Sequence, residues 1–400
     1  MGSVTGPSAE HEVDVAILGG GISGLWLLSL LRRKGYSCLL LEKDALGGGQ
    51  TISSQGILHG GIKYALSGVL SGASRTVGTM PQRWQLCLDG NGEIDLSRVK
   101  RLASQQMLWT TRQLGSRLAG FFSDKALRGR MDLLSEMEYP EPFANSGFAG
   151  ALYRLQETVL DVSSLIDSLV QANVGYITCP QSLRVRRTDD AGVELEGDGL
   201  RVRARCAILA AGQGNEGLLH ELGQDAPEMQ LRPLHMVMLR GPLPELFGHC
   251  LGSGETPRIT ITSHTFEDGE RVWYLGGALA ESGVGRSESE QINFAAKELA
   301  ETVPWISLKN TQWSTRWIQR AEVRTLGARR PDGIAVHRHG PVITVWPTKL
   351  VLMPALGDQL LKALEQGAVL PCHSETPAVS QSRLPLAVPP WQRSSWRDHA

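Results

Sequence analysis

The stretch GGGQTISSQGILHGGIKYAL, residues 47–66, sets one histidine, His59, against a glycine pair in a run rich in hydroxyls. An imidazole titrates near neutral pH and can take a proton from a bound molecule. Gly60 and Gly61 let the main chain come close to a flat partner. Lys63 and Tyr64 follow in the same loop. Far along the chain, Arg324, Arg329 and Arg330 are candidates to grip a carboxylate or phosphate, because a guanidinium meets such anions with parallel N–H groups. Each reads equally well as a salt-bridged surface residue. Tyr274 and His264 lie on an expected hairpin, where packing is as good a reading as substrate contact. His337 and His339 flank Arg338 with no third ligand in view, and the six cysteines include no C-x-x-C pair. No metal centre is therefore expected. The loop around His59 could hold a cofactor, act on a substrate or turn a corner, and the elements before it bear on that choice.

VDVAILGGGISGLWLLSLLRRKGYSCLLLEKD reads as strand, glycine turn, helix, strand. Val13, Val15, Ile17 and Leu18 form the first strand, and Gly19, Gly21 and Gly24 complete G-x-G-x-x-G. The first glycine permits a tight turn, the second lets backbone approach a pyrophosphate, and the third lets the helix pack on the sheet. The helix N-terminus offers N–H groups to phosphate oxygens. Leu27, Leu28, Leu30 and Leu31 give the helix its buried side, and Arg32, Arg33 and Lys34 close it before Gly35. The second strand ends in Glu42, 18 residues after Gly24, where a carboxylate meets the ribose hydroxyls of an adenine dinucleotide and repels a 2′-phosphate. A dinucleotide-binding fold follows; the fingerprint alone does not separate FAD from NAD.

After Glu42 the chain enters the hydroxyl-rich loop rather than another strand–helix unit. The run Ser54-Gln55-Gly56-Ile57-Leu58-His59-Gly60-Gly61-Ile62-Lys63-Tyr64 resembles the FAD-dependent oxidoreductases of the D-amino-acid oxidase superfamily. HGGIKY looks most like the H-G-G-L-R-Y of FAD-dependent glycerol-3-phosphate dehydrogenases, and the S-x-G-x-x-H spacing is similar to that of L-2-hydroxyglutarate dehydrogenases and oxidases. Three later segments carry the same resemblance: LQETVLDVSSLIDSLVQANV (155–174), with an acid before a V-D-P-like turn; CAILAAGQGNEGLLHELG (206–223), a strand ending in A-x-G; and GARRPDGIAV…VWPTKLVLMPALGDQLLKAL (327–364), the closing segment. It spans most of residues 13–365.

The resemblance implies FAD as cofactor. Its contacts are expected from Gly19, Gly21, Ile22, Ser23, Gly24, Glu42 and Lys43; from Gln50, Thr51, Ser53, Ser54, Gln55, Gly56 and Leu58; and from Val185, Ala211, Gly212, Thr348, Lys349 and Leu350. Backbone N–H groups of the loop 348–350, at the start of a helix, would favour negative charge on reduced flavin. Lys349 would add a full charge there, or be an ordinary surface lysine. His59, Lys63, Tyr274 and Arg330 are the catalytic candidates. For His59 three roles stay open: base or substrate binder, polar contact to FAD, and covalent flavin link. Lys63 replaces an arginine of the related motif, which removes a bidentate anion contact.

The implied fold class is α/β: a Rossmann-like FAD-binding domain made of discontinuous segments (13–80, 151–225, 322–370) and a sheet-rich α+β substrate domain (81–150, 226–321). RITITSHTFEDGERVWYLGG reads as a hairpin turning at Asp268-Gly269, INFAAKELAETV as a helix, and residues 97–137 as helices. Residues 371–400 hold five prolines with Trp391 and Trp396 and read as an extended tail, whose rings pack on the protein or touch a membrane surface.

Four hundred residues suggest two to three domains, and a formal net charge of −1 gives no field to attract nucleic acid. With no signal peptide and no run long enough to span a bilayer, a cytoplasmic protein with reduced thiols is expected, at most peripheral to a membrane. The expected function is an FAD-dependent dehydrogenase oxidising a small anionic hydroxy compound. The alternatives are an amino-acid or amine oxidase of the same fold using oxygen, and a flavin-holding subunit that needs a partner. The electron acceptor, whether oxygen, quinone or an electron-transfer protein, stays open.

Overall fold

The structure is a computed structural model. It describes residues 9–60, 72–112, 131–144, 146–252, 254, 256–328, 331, 333–372, 378–379 and 385–398. Lys63, Tyr64, Arg329 and Arg330 lie outside the described residues.

The alternation in VDVAIL does not produce a one-sided strand, because both faces of Ala9–Leu18 are covered. Val15 and Ile17 point into one apolar cluster, Ala16 and Leu18 into another. This strand is central in an eight-stranded sheet, ordered Ile334–His339, Val342–Pro347, Leu200–Leu209, Ala9–Leu18, Cys38–Leu41, Ile177–Thr178. Arg184–Arg187 and Val193–Gly197 form an antiparallel extension off Leu200–Leu209. The four inner pairings, from Val342–Pro347 through to Ile177–Thr178, are parallel. Helices Ile22–Arg33, Val162–Gln171 and Met353–Gln366 bury their apolar sides on one face. Parallel strands covered on both faces are what near-continuous runs such as CLLL and CAIL require.

The second sheet has nine strands, ordered Arg397–Asp398, Gln312–Val323, Met229–Gly241, Arg271–Gly276, Ile259–Thr265, Gly248–Cys250, Gln106–Trp109, Leu152–Leu155, Met131–Leu133. Its hairpin, Ile259–Thr265 against Arg271–Gly276, turns through Asp268 and Gly269 as expected. The expected helix is Glu288–Thr302, and Ser287 and Glu290 cap each other's backbone at its start.

One expectation fails: residues 97–137 are not simply helical. Arg101–Ala103, Gln106–Trp109 and Met131–Leu133 are strands. QMLW is too short to show a period, and its state is set by pairing with Gly248–Cys250 and Leu152–Leu155, distant in sequence.

The two faces of this second sheet differ sharply. Trp109, Cys250, Ile259, Ile261, Trp273 and Leu275 point to one side and pack with Ile292, Ala295 and Leu299 of the helix. Strand alternation sends Gln106, His249, Thr260, Thr262, His264 and Tyr274 to the other side. That face is partly polar, although all six residues are buried.

The tail is not free. Leu46 and Leu386 form a parallel bridge, and Arg397–Asp398 pairs with Gln312 and Trp313. Between them Trp391, buried, stacks on His264 at 4.0 Å between ring centroids. Trp396 meets Phe266 edge-on. The rings pack on the protein, the first of the two expected readings. Among the described residues no helix is long and apolar enough to cross a membrane, and all six cysteines are free thiols.

Candidate functional site

The glycine fingerprint folds as close packing demands. Gly19 has φ 111°, and a Cβ on it would stand 2.6 Å from the backbone of Ala211. A Cβ on Gly24 would stand 1.9 Å from the Gly19 carbonyl oxygen. Gly19, Gly24 and Ala211 therefore meet at the ends of two adjacent parallel strands, beside the start of Ile22–Arg33. At that start Gly21 has no side-chain cap, and Ile22 N–H donates to Thr51 Oγ1 at 3.0 Å. Ser23 is buried in the first turn. Glu42 turns its carboxylate back onto the fingerprint, accepting from Gly20 N–H at 2.6 Å and from Asp44 N–H at 3.0 Å. Lys43 beside it is exposed. Gly212 has φ 56°, and its carbonyl accepts from the Trp346 indole at 3.0 Å. Val185 sits in the antiparallel extension, its side chain buried and its N–H given to Glu221 at 2.8 Å.

The loop from Gln50 to Gly60 is tied to the first helix through Thr51, to the second sheet, and to the strand Val159–Leu160. Gln50 Oε1 accepts from Ala321 N–H at 3.0 Å, and Gln55 Nε2 donates to the Tyr274 carbonyl at 2.9 Å. Tyr274 hydroxyl donates to the Ser53 carbonyl at 2.9 Å. Ser54 N–H closes a turn onto the Thr51 carbonyl. Gly56 and Leu58 pair with Leu160 and Thr158. Gly56 has φ 70°, and a Cβ there would lie 2.2 Å from the Leu160 carbonyl oxygen.

His59 emerges from this pinned backbone. Its Nδ1 lies 3.3 Å from Glu157 Oε2, while Glu157 Oε1 accepts from Gly60 N–H at 2.6 Å. Glu157 is buried and His59 about a third exposed, at 4% and 32% of the side chain. The ring of His249 lies 5.6 Å from that of His59, and His249 Nδ1 is 2.8 Å from Thr260 Oγ1. Next to this group on the same sheet face is Gln106, with no exposed surface and, among the described residues, no hydrogen-bond partner for either amide atom. A buried carboxamide without partners is costly unless a bound molecule supplies them.

Glu157 is the acid of LQETVLD, visible in sequence without a role. His249 and Gln106 carried no local signal, since GHC and SQQM match no motif.

The loop expected at the flavin ring also has an orphaned group. Thr348 Oγ1 is buried with no hydrogen-bond partner among the described residues. Lys349 is partly exposed and extended, and Leu350 leads through Val351 and Leu352 into Met353–Gln366. This helix starts with Pro354 in its first turn. A glycine cradle against Ala211, an acid at the strand end and an unpaired hydroxyl at the far loop together fit a long dinucleotide.

Two candidates are committed to the framework. Tyr274 is fully buried with its hydroxyl given to Ser53, and burial raises its pKa well above the usual phenol range. It holds loop to sheet. His264 is walled in by Trp391, and burial pushes its pKa down to about 3. Arg324 is exposed and paired with Glu228 at 2.7 Å.

The comparisons agree with this geometry. The sequence profile of the family described as FAD dependent oxidoreductase matches residues 14–352. A "Probable FAD-dependent oxidoreductase" of Pseudomonas aeruginosa is 45% identical over 387 residues, covering 95% of this chain and 98% of its own. The crystal structure of the FAD dependent oxidoreductase from Pseudomonas aeruginosa superposes with a TM-score of 0.83 at 40% identity, over 96% of this chain and 98% of its own. Two solved structures share the fold at low identity. Glycine oxidase of Geobacillus kaustophilus has a TM-score of 0.64 at 17% identity, over 89% and 95% of the chains. The FAD-bound L-α-glycerophosphate oxidase of Mycoplasma pneumoniae has 0.64 at 13%, over 92% and 97%. With its fingerprint, strand-end acid and two-sheet plan, this chain belongs to the FAD-dependent oxidoreductases of the D-amino-acid oxidase family.

Proposed function

We propose that the protein is an FAD-dependent dehydrogenase that oxidises a small anionic hydroxy compound, with His59 accepting the hydroxyl proton. The observation that carries this reading is the pairing of His59 with the buried Glu157. When bound, FAD supplies the acceptor for a hydride from the substrate carbon. An amine in its free form releases a hydride on the push of its own lone pair. A hydroxyl must also lose its proton, so an oriented base favours the alcohol. Glu157 is fixed by Gly60 N–H through one oxygen and turns the other toward His59 Nδ1. It holds the ring so that Nε2 faces the substrate, and it stabilises the imidazolium that forms.

The first sheet and its helices serve as the cofactor domain. Its strand-end glycines, Thr51 and Glu42 take the dinucleotide, and Thr348 with the backbone to Leu350 takes the ring end. The second sheet serves as the substrate domain, presenting His249 and Gln106. Gln106 donates to or accepts from the substrate's polar groups. Arg330 and Lys63 are the candidates for its anionic end. The chain takes part with a small-molecule substrate and an electron acceptor.

Anaerobic mixing of the purified flavoprotein with glycerol 3-phosphate, 2-hydroxyglutarate and an amino-acid panel tests the reading. Loss of the flavin's visible absorption with a hydroxy compound is expected. Bleaching by amino acids alone would overturn it.

A further inference from the structure

The C-terminal segment is fastened to the glycine-rich loop 46–55 at both of that loop's ends. We propose that residues 385–391 are a latch for FAD, with Trp391 as its positioning residue. The latch holds the loop in the shape that takes the cofactor, so latch and FAD stabilise each other.

The first fastening is at Leu46, which has no exposed surface. Its N–H donates to the Pro385 carbonyl at 2.8 Å, and its carbonyl accepts from Ala387 N–H at 2.9 Å. The Leu46 side chain presses on the glycine fingerprint, since a Cβ on Gly20 would lie 2.5 Å from Leu46 Cδ2. Gly47 N–H donates to the Gly20 carbonyl at 2.7 Å. Further along, Thr51 Oγ1 accepts from Ile22 N–H at the helix start, where a glycine-fingerprint fold places a pyrophosphate.

The second fastening is Trp391, which stacks on His264 and meets Tyr274 edge-on at 5.7 Å between ring centroids. Tyr274 holds the far end of the loop twice: its hydroxyl donates to the Ser53 carbonyl, and its carbonyl accepts from Gln55 Nε2, both at 2.9 Å. His264 Nε2 lies 3.1 Å from Thr262 Oγ1, which Gln55 Nε2 approaches to 3.5 Å. The indole thus backs the groups that tie Ser53 and Gln55 to the second sheet. Its removal leaves a cavity into which Tyr274 and His264 can shift.

The two fastenings cannot move far apart. Ala387 and Trp391 are four residues apart, a reach of at most about 14 Å. Pro389 and Pro390, both buried, fix φ at two of the intervening positions. Two partners that favour one loop conformation are coupled, and the coupling is reciprocal. It concerns FAD retention, which does not depend on the substrate oxidised, so failure of the hydroxy-substrate reading leaves it intact.

The test is the rate of FAD release from the purified holoprotein after dilution, followed by flavin fluorescence. Trp391→Ala should release FAD about 10- to 100-fold faster than the parent. Trp391→Phe, which keeps a ring beside His264, should restore release to within about 3-fold of the parent. Arg397→Ala, which breaks only the surface pair with Glu288, should release FAD at about the parent's rate. Hydrogen exchange in the unaltered protein needs no variant: stripping FAD should speed exchange at Ala387 N–H about 10-fold or more, with Met238 and Leu239 in the second sheet unchanged. A folded Trp391→Ala that keeps FAD like the parent, a Trp391→Phe that loses it as fast as Trp391→Ala, or Ala387 exchange indifferent to FAD would each overturn the proposal.

Discussion

At the scale of single residues, the site sets groups whose partners lie within the chain against groups that the proposed function assigns to the substrate. His59 is held by Glu157 and Glu157 by Gly60, so the proposed base and its orienting acid form one unit. His59→Gln is expected to slow substrate-driven flavin reduction by about 10²–10⁴-fold in a stopped-flow measurement. Glu157→Gln should cost less, and mainly in the rate rather than in binding, because it misorients a base that is still present. Gln106 is the opposite case. Its carboxamide has no partner among the described residues, so Gln106→Leu should leave thermal stability unchanged or higher while raising KM for the substrate about 10-fold.

His264 gives a pH signature. Its folded pKa is pushed down to about 3 by burial, against about 6.5 in the unfolded chain. Above pH ~6.5 neither state is protonated and His264 has no effect. Below it the unfolded chain binds a proton that the folded one refuses, so stability falls by about 1.4 kcal/mol per pH unit until near pH 3. Denaturant titrations from pH 7 to 4 should show this slope reduced in His264→Gln. His59 was legible in sequence because HGGIKY is a local pattern. Its partners were not, since Glu157 and His249 stand 98 and 190 residues further along the chain and reach it only through the tertiary fold.

At the scale of elements, glycines and strand alternation do the positioning. The strand–turn–helix at the N-terminus was fully legible, because each glycine answers a local steric need that the neighbouring apolar runs define. Gly24→Ala puts a methyl 1.9 Å from the Gly19 carbonyl and must push helix from strand. Purified Gly24→Ala should be colourless or should lose FAD on dialysis, with a lowered melting temperature. The second sheet was only half legible. RITITSHTF showed its own alternation and its turn, so the hairpin could be read. QMLW and GHC could not, because a four-residue or three-residue strand in the middle of a sheet is specified by its neighbours rather than by its own period. Those short strands are the ones that carry Gln106 and His249, so this part of the site was hidden for the same reason as the fold around it.

At the scale of the whole molecule, the loop 47–60 joins the two sheets and the tail fastens them from outside. The tail touches Leu46 at the first sheet's loop, Trp391 covers His264 and Tyr274, and Arg397–Asp398 extends the second sheet. The sequence showed a proline-rich segment but no indication of where it docks, because extended chain has no period to read. Trp391→Ala should destabilise by about 3–5 kcal/mol, as expected for a buried tryptophan, and should make His264 easier to protonate in the folded state. Thermal melts at neutral and mildly acidic pH would show both effects.

The central claim is that this two-sheet frame brings a hydroxyl, not an amine, to a base beside FAD. The most direct measurement is anaerobic single-turnover reduction of the purified flavoprotein by hydroxy compounds and by amino acids, run on the parent and on His59→Gln. The account predicts bleaching by a small anionic hydroxy compound, slowed by about 10²-fold or more in His59→Gln. Reduction by an amino acid or amine alone, at a rate indifferent to His59, would contradict it.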